Sequence, residues 1–141
     1  MGELFDFAQQ YSEEERNRQM GWQEQAAQER ELNSRRAAEF VELMQGHNIP
    51  TSTLWKKSGP HDAIAFEEIG QGWIAVHGYV SYEYRPSTDI FVSEAGQSYF
   101  SEFDCRSERI VVKNGEREDR VLAERTTPSR IAYTLQQHGI V

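Results

Sequence analysis

Few side chains in this sequence have reactive chemistry to offer. Cys105 is the only cysteine. A thiolate nucleophile needs a base beside it and an acid to orient that base. His77 is the available base, and Asp62 or Asp104 the available acid. Asp104 and Glu108 flank the thiol and oppose its ionisation, whereas Arg106 favours it. The plainer reading is a small apolar cysteine and a histidine satisfied within a sheet. His77 and Cys105 therefore stand as candidates only, and no catalytic residue is assigned.

Metal and phosphate chemistry find less support. Spacings such as His-x-x-x-His or Cys-x-x-Cys are absent, and His61, Asp62 and His77 lack a third strong ligand. No metal site and no cofactor is expected. The chain has no phosphate-binding glycine loop, no dinucleotide fingerprint and no nucleophile elbow. Glu67, Glu68, Glu83 and Glu102 could pair for acid–base work, but outward-facing strand glutamates are usually solvated.

Binding chemistry is better represented. Trp22, Trp55 and Trp73 are three large surfaces in a chain of 141 residues, and tryptophan is enriched at binding hot spots. Trp73 lies in an apolar run and is expected in the core. Trp55 sits beside Lys56-Lys57 and could line a pocket or cap a sheet edge. Trp22 lies in a polar helical segment with little nearby to pack on, which makes it the leading interface candidate. With Tyr79 these three form the candidate binding set.

The elements that carry them follow from periodicity. Leu4, Phe7, Ala8 and Tyr11 share one helical face. Ser12-Glu13-Glu14-Glu15 has the form of a capping box, which predicts a helix start there. Residues 13–45 lack proline and are rich in Glu, Gln, Arg and Ala, all good helix formers. Gly21 and Asn33-Ser34 are the predicted weak points, since asparagine and serine favour caps over helix interiors. From Ala37 the segment is amphipathic, with Ala37, Phe40, Val41 and Met44 on one face. Asn48, Ile49 and Pro50 supply a stop, and Gly139-Ile140 repeats it near the other end. No apolar heptad is sustained, so a leucine zipper is not expected.

Ile64–Tyr84 holds the densest group of aromatic and β-branched residues, which suit a pleated, half-buried surface. Gly70-Gln71-Gly72 predicts a hairpin between strands Ile64–Ile69 and Trp73–Tyr84. The first half of the second strand is apolar on both faces, so each face needs cover. Residues 50–63 read as a connector. Ile90–Ser93 and Ser98–Phe103 form the next predicted hairpin, with Gly96 left-handed in its loop. Arg109–Lys113 is predicted as a strand, with a tip over Lys113–Asp119 and a return strand over Arg120–Glu124. Thr127-Pro128 opens a final helix that presents Ile131, Ala132 and Leu135 to the core.

The expected fold class is α+β: N-terminal helical segments, an antiparallel sheet of five to six strands, and a short C-terminal helix packed on the sheet. Residues 1–36 form a projecting or folded-back helical arm, and residues 37–141 a single domain. The formal net charge of −8 disfavours nucleic-acid binding, which needs Lys and Arg to displace counterions, and leaves a basic partner open. No run reaches the length of a membrane span. The N-terminus lacks the pattern of a signal peptide, and the lone cysteine fits a reducing compartment, so a cytoplasmic protein is expected. These features favour a small acidic protein that binds another protein, as adaptor, chaperone or immunity-type binder do, and that forms a homo-oligomer. The alternative is a ligand-binding or enzymatic domain with a pocket over the Trp73, His77 and Tyr79 face.

Overall fold

The computed structural model describes residues 2–78, 88–123 and 127–141, without the side chains of 114–116. Helix α1 (Glu3–Gly46) is followed by β1 (Ser52–Ser58), β2 (Ala65–Val76), β3 (Asp89–Ser93), β4 (Ser98–Asp104) and β5 (Arg109–Arg117). A 3-10 turn (Val121–Ala123) and helix α2 (Thr127–Gln137) complete the chain. The α+β arrangement, with a long N-terminal helix, five strands and a short C-terminal helix, matches the expected class.

The strands close into a barrel in the order β1-β2-β3-β4-β5. Successive strands pair antiparallel. In a five-strand meander the first and last strands run the same way, so closure must be parallel. It occurs through Leu54 opposite Ile110 and Trp55 opposite Val111. These two pairs join the edge strands and so shorten the edge that could template aggregation.

Three sequence expectations are corrected here. Gly70-Gln71-Gly72 is not a hairpin, because β2 runs straight through it. Its first half pairs with β1 and its second half with β3. Gly72 permits a close crossing: a Cβ there would stand 2.1 Å from the Val92 carbonyl oxygen and 2.6 Å from Ser93 Cα. The glycine signal was steric approach, not chain reversal. Residues 50–63 are not only a connector, since they contain β1, whose Leu54 is fully buried. Among the described residues the tip at Lys113–Asp119 and the return strand after it are also absent. The chain continues as β5 to Arg117, with a register shift opposite Tyr99–Ser101. Val121 and Leu122 then enter the core from the 3-10 turn. The Tyr79–Tyr84 end of the expected strand, and Glu124, lie outside the described residues.

Two hydrophobic clusters explain why β2 is apolar on both faces. Leu54, Phe91, Tyr99 and Val112, with Ile69, Ile74 and Ile110, draw on all five strands and fill the barrel. Trp73, Ala75, Val76, Ile90, Val92 and Phe100 face outward and are covered by Ala37, Phe40, Val41 and Met44 of α1 and by Val121 and Leu122. Side-chain alternation along β3 and β4 sends neighbours to opposite clusters. Each fully buried large side chain contributes roughly 1.5–3 kcal/mol.

Both stops form as expected. Asn48 takes φ 54 and Gly139 φ 73, and Ile49 N and Ile140 N donate to the carbonyls of Met44 and Leu135, both at 3.0 Å. In α2, Ile131 and Leu135 pack on the core, but Ala132 is exposed.

Candidate interaction surface

Helix α1 is unbroken over 44 residues, a length of roughly 66 Å. The Ser12 box does not start a helix. Residues 3–11 contain no glycine or proline to stop one earlier, and Glu3 and Asp6 lie in the first turn, where acids complement the helix dipole. The weak point at Asn33-Ser34 is also passed without a break. Asn33 is 3% exposed. Its Oδ1 accepts from Leu122 N at 2.8 Å, and its Nδ2 donates to Ser98 Oγ at 3.1 Å. Ser98 Oγ in turn donates to the Glu118 carbonyl. Tertiary bonds thus replace the local bonds that make asparagine a helix breaker.

Around this staple the 118–122 segment grips the helix. Arg30 Nε lies 3.5 Å from Asp119 Oδ2, Glu29 Oε2 lies 3.8 Å from Arg120 Nη1, and Arg36 Nη1 donates to the Leu122 carbonyl. The two ion pairs are about half exposed and contribute little individually. They mark where the barrel begins along the helix.

N-terminal to that point the helix leaves the barrel and stands in solvent. Leu4 is 88% exposed, Phe7 72%, Tyr11 63% and Trp22 64%. Leu4, Trp22 and Phe40 are spaced 18 residues apart, which is five turns of an α-helix. The three therefore lie on one line along α1. Phe40 is buried against the barrel, and its ring meets Trp73 edge-on at 6.3 Å. The face that binds the barrel thus continues uncovered along the arm, where Phe7, Ala8, Tyr11 and Ala26 adjoin it. Phe5 and Met20 are exposed as well but lie off this line.

The remaining candidates fall in separate places. Trp73 is buried, with its indole N–H donating to the Ile49 carbonyl at 3.0 Å. Trp55 is half-buried under the Arg109 guanidinium, which lies 5.0 Å from its ring centroid and 4.4 Å from that of Phe66. This stacking of one cation between two rings was not foreseen, since it joins β1, β2 and β5. Tyr79 lies outside the described residues. His77 is exposed after the end of β2 that pairs with β3.

Cys105 is exposed in the β4–β5 turn. Its neighbours Asp104 and Arg106 line a small cleft with Phe66, at the opposite end of β2 from His77. The two residues do not meet, and the suggested Cys105–His77 pair is not assembled. Beside Cys105, Ser107 Oγ donates to Asp104 at 2.8 Å, Arg106 N donates at 3.3 Å, and Lys57 Nζ lies 3.6 Å away. The Ser107 bond, with smaller help from Arg106 and Lys57, holds the Asp104 carboxyl below its usual value. This arrangement caps a turn. Among the described residues, no group of three His, Cys, Asp or Glu side chains is placed to hold a metal ion.

No protein-family model matches this chain, nor does any curated protein or solved structure. No helix among the described residues is long and apolar enough to cross a membrane.

Proposed function

We propose that this chain is a protein-binding module, with the barrel and α2 as its folded base and the first 28 residues as the engaging arm. One observation carries the reading: the line of Leu4, Trp22 and Phe40 is core at its barrel end and exposed along the rest. An isolated helix gains nothing by placing Phe, Tyr and Trp in water, and large exposed apolar faces mark interaction sites. Trp and Tyr are the residue types that most often dominate binding energy. An adaptor, chaperone or immunity-type role in a reducing compartment is consistent with these features. The alternative of a ligand or enzymatic pocket over Trp73, His77 and Tyr79 has less support, because Phe40 of α1 packs on Trp73.

The test is site-specific photo-crosslinking in the native cell, with the probe placed singly at Tyr11, Trp22 and, as an opposite-face control, the exposed Glu13. Protein adducts at Tyr11 and Trp22 but not at Glu13 are expected. No adduct at either stripe position, or equal labelling of both faces, refutes the reading.

A further inference from the structure

We infer that the occupant of the exposed stripe is the arm of a second copy of this chain, laid antiparallel about a two-fold axis. The inference rests on the protein-binding reading above and names its partner.

Three features of the arm point to itself. The first is charge. The stripe is interrupted at its middle by Glu15 and Arg18, which form an ion pair at 3.6 Å within the helix. A two-fold axis between Arg16 and Asn17 sets Glu15 of each arm opposite Arg18 of the other. A parallel pair would set Glu15 on Glu15 and Arg18 on Arg18, which is repulsive.

The second feature is size. In the same antiparallel register, Tyr11 faces Trp22 of the other copy, and Phe7 faces Ala26. Across the pair a ring meets a ring, and a large ring meets a methyl group.

The third is length. The register brings Leu4 of one copy opposite Glu29 of the other, the residue bonded to Arg120 at the barrel's margin. Each free arm therefore fills the length between the other's tip and its own barrel, with no overlap into the folded base. Charge, packing and length select the same alignment independently.

The area is adequate. An aromatic side chain buries about 150–250 Å² when fully covered; covering the exposed 63–72% of Phe7, Tyr11 and Trp22 on both arms supplies on the order of 800 Å². Leu4, Ala8, Ala26 and the charged stems bring this toward the roughly 1,200 Å² of a specific interface. The line repeats every 3.6 residues, as on a straight helix, and so differs from the 3.5-residue heptad of a supercoiled pair.

Light scattering of the intact chain tests the pairing, with helicity checked by circular dichroism for every variant. The intact protein is expected at twice its 16.3 kDa chain mass. Glu15→Arg and Arg18→Glu each place like charges in contact at both symmetric positions, and each is expected to weaken dimerisation at least about tenfold. An equimolar mixture of the two variants restores the dimer, because the two arginines of one chain then face the two glutamates of the other. Pairing within one helix cannot produce that rescue.

A monomeric intact chain at high micromolar concentration overturns the inference, as does failure of the mixture to form dimers. If the Trp22 probe labels a different protein and the chain is monomeric, the self-pairing is refuted while the binding reading stands. If neither Tyr11 nor Trp22 labels any protein, both fail.

Discussion

Asn33→Ala isolates the bond network that docks the helical arm to the barrel. Asn33 is 3% exposed, accepts from Leu122 N at 2.8 Å and donates to Ser98 Oγ at 3.1 Å. Truncation leaves the Leu122 N–H buried without its partner, in a residue that is itself fully buried. An orphaned buried donor costs about 1–3 kcal/mol, and the lost second bond about 1 kcal/mol more. Alanine returns roughly 0.5 kcal/mol through its better helix propensity. The expected net loss is about 2–3 kcal/mol. At about 2.1 cal/mol/K per residue, a chain of 141 residues has an unfolding entropy near 0.3 kcal/mol/K, so Tm should fall by about 7–10 °C. Urea unfolding at fixed protein concentration gives the same quantity, with the concentration held constant because self-association shifts apparent stability. Ser34→Ala, one residue along and exposed, is the control and should change stability by less than about 0.5 kcal/mol. If Asn33→Ala is as mild as Ser34→Ala, the network does not anchor the helix and the account of why α1 runs unbroken is wrong.

Two further outcomes follow from local geometry. Gly72→Ala should abolish folding, because its methyl would sit 2.1 Å from the Val92 carbonyl oxygen and neither backbone can move without breaking the β2–β3 pair. Gly70→Ala, whose nearest contact is Ser93 Cβ at 4.0 Å, should fold, and soluble yield with circular dichroism separates them. Asp104→Asn should lower Tm at neutral pH, and the gap to the wild type should close in acid. The folded-state value of this carboxyl is depressed, so its contribution is complete above the ordinary value of about 3.9. It is lost as pH falls through the lower folded value. A gap that persists unchanged at the acid end would count against the Ser107–Lys57 arrangement.

Much of the fold was legible where a local cause acts alone. Asn48-Ile49 and Gly139-Ile140 end their helices as expected, because left-handed backbone and a fold-back contact are local chemistry. The β3–β4 hairpin formed around Gly96, at φ 80, for the same reason. Trp73 was expected in the core and is buried there. Gly70-Gln71-Gly72 was misread, because glycine marks both turns and close approach, and only the neighbouring strand distinguishes them. Strand β1 was missed because Lys56-Lys57-Ser58 at its C-terminal end is polar, and a single inward residue, Leu54, suffices where the barrel supplies the rest. The candidate surface was half visible. The face of Leu4, Phe7 and Tyr11 could be counted from the sequence. Its alignment with Trp22 and Phe40 required knowing that the helix passes Ser12 and Asn33 without a break.

The sequence by itself determined the α+β class, the helix stops, the acidity and the presence of an aromatic helical face near the N-terminus. Each depends on short-range spacing or on composition, which a linear chain displays. Only the tertiary structure decided that the sheet closes, that Asn33 is a staple and not a break, and that Cys105 and His77 lie apart. It also decided that the arm's exposed face continues the one buried on the barrel. Those facts rest on contacts between residues distant in the chain. Asn33 with Leu122, Leu54 with Ile110 and Gly72 with Ser93 are each unremarkable alone and acquire their roles when the fold brings them together.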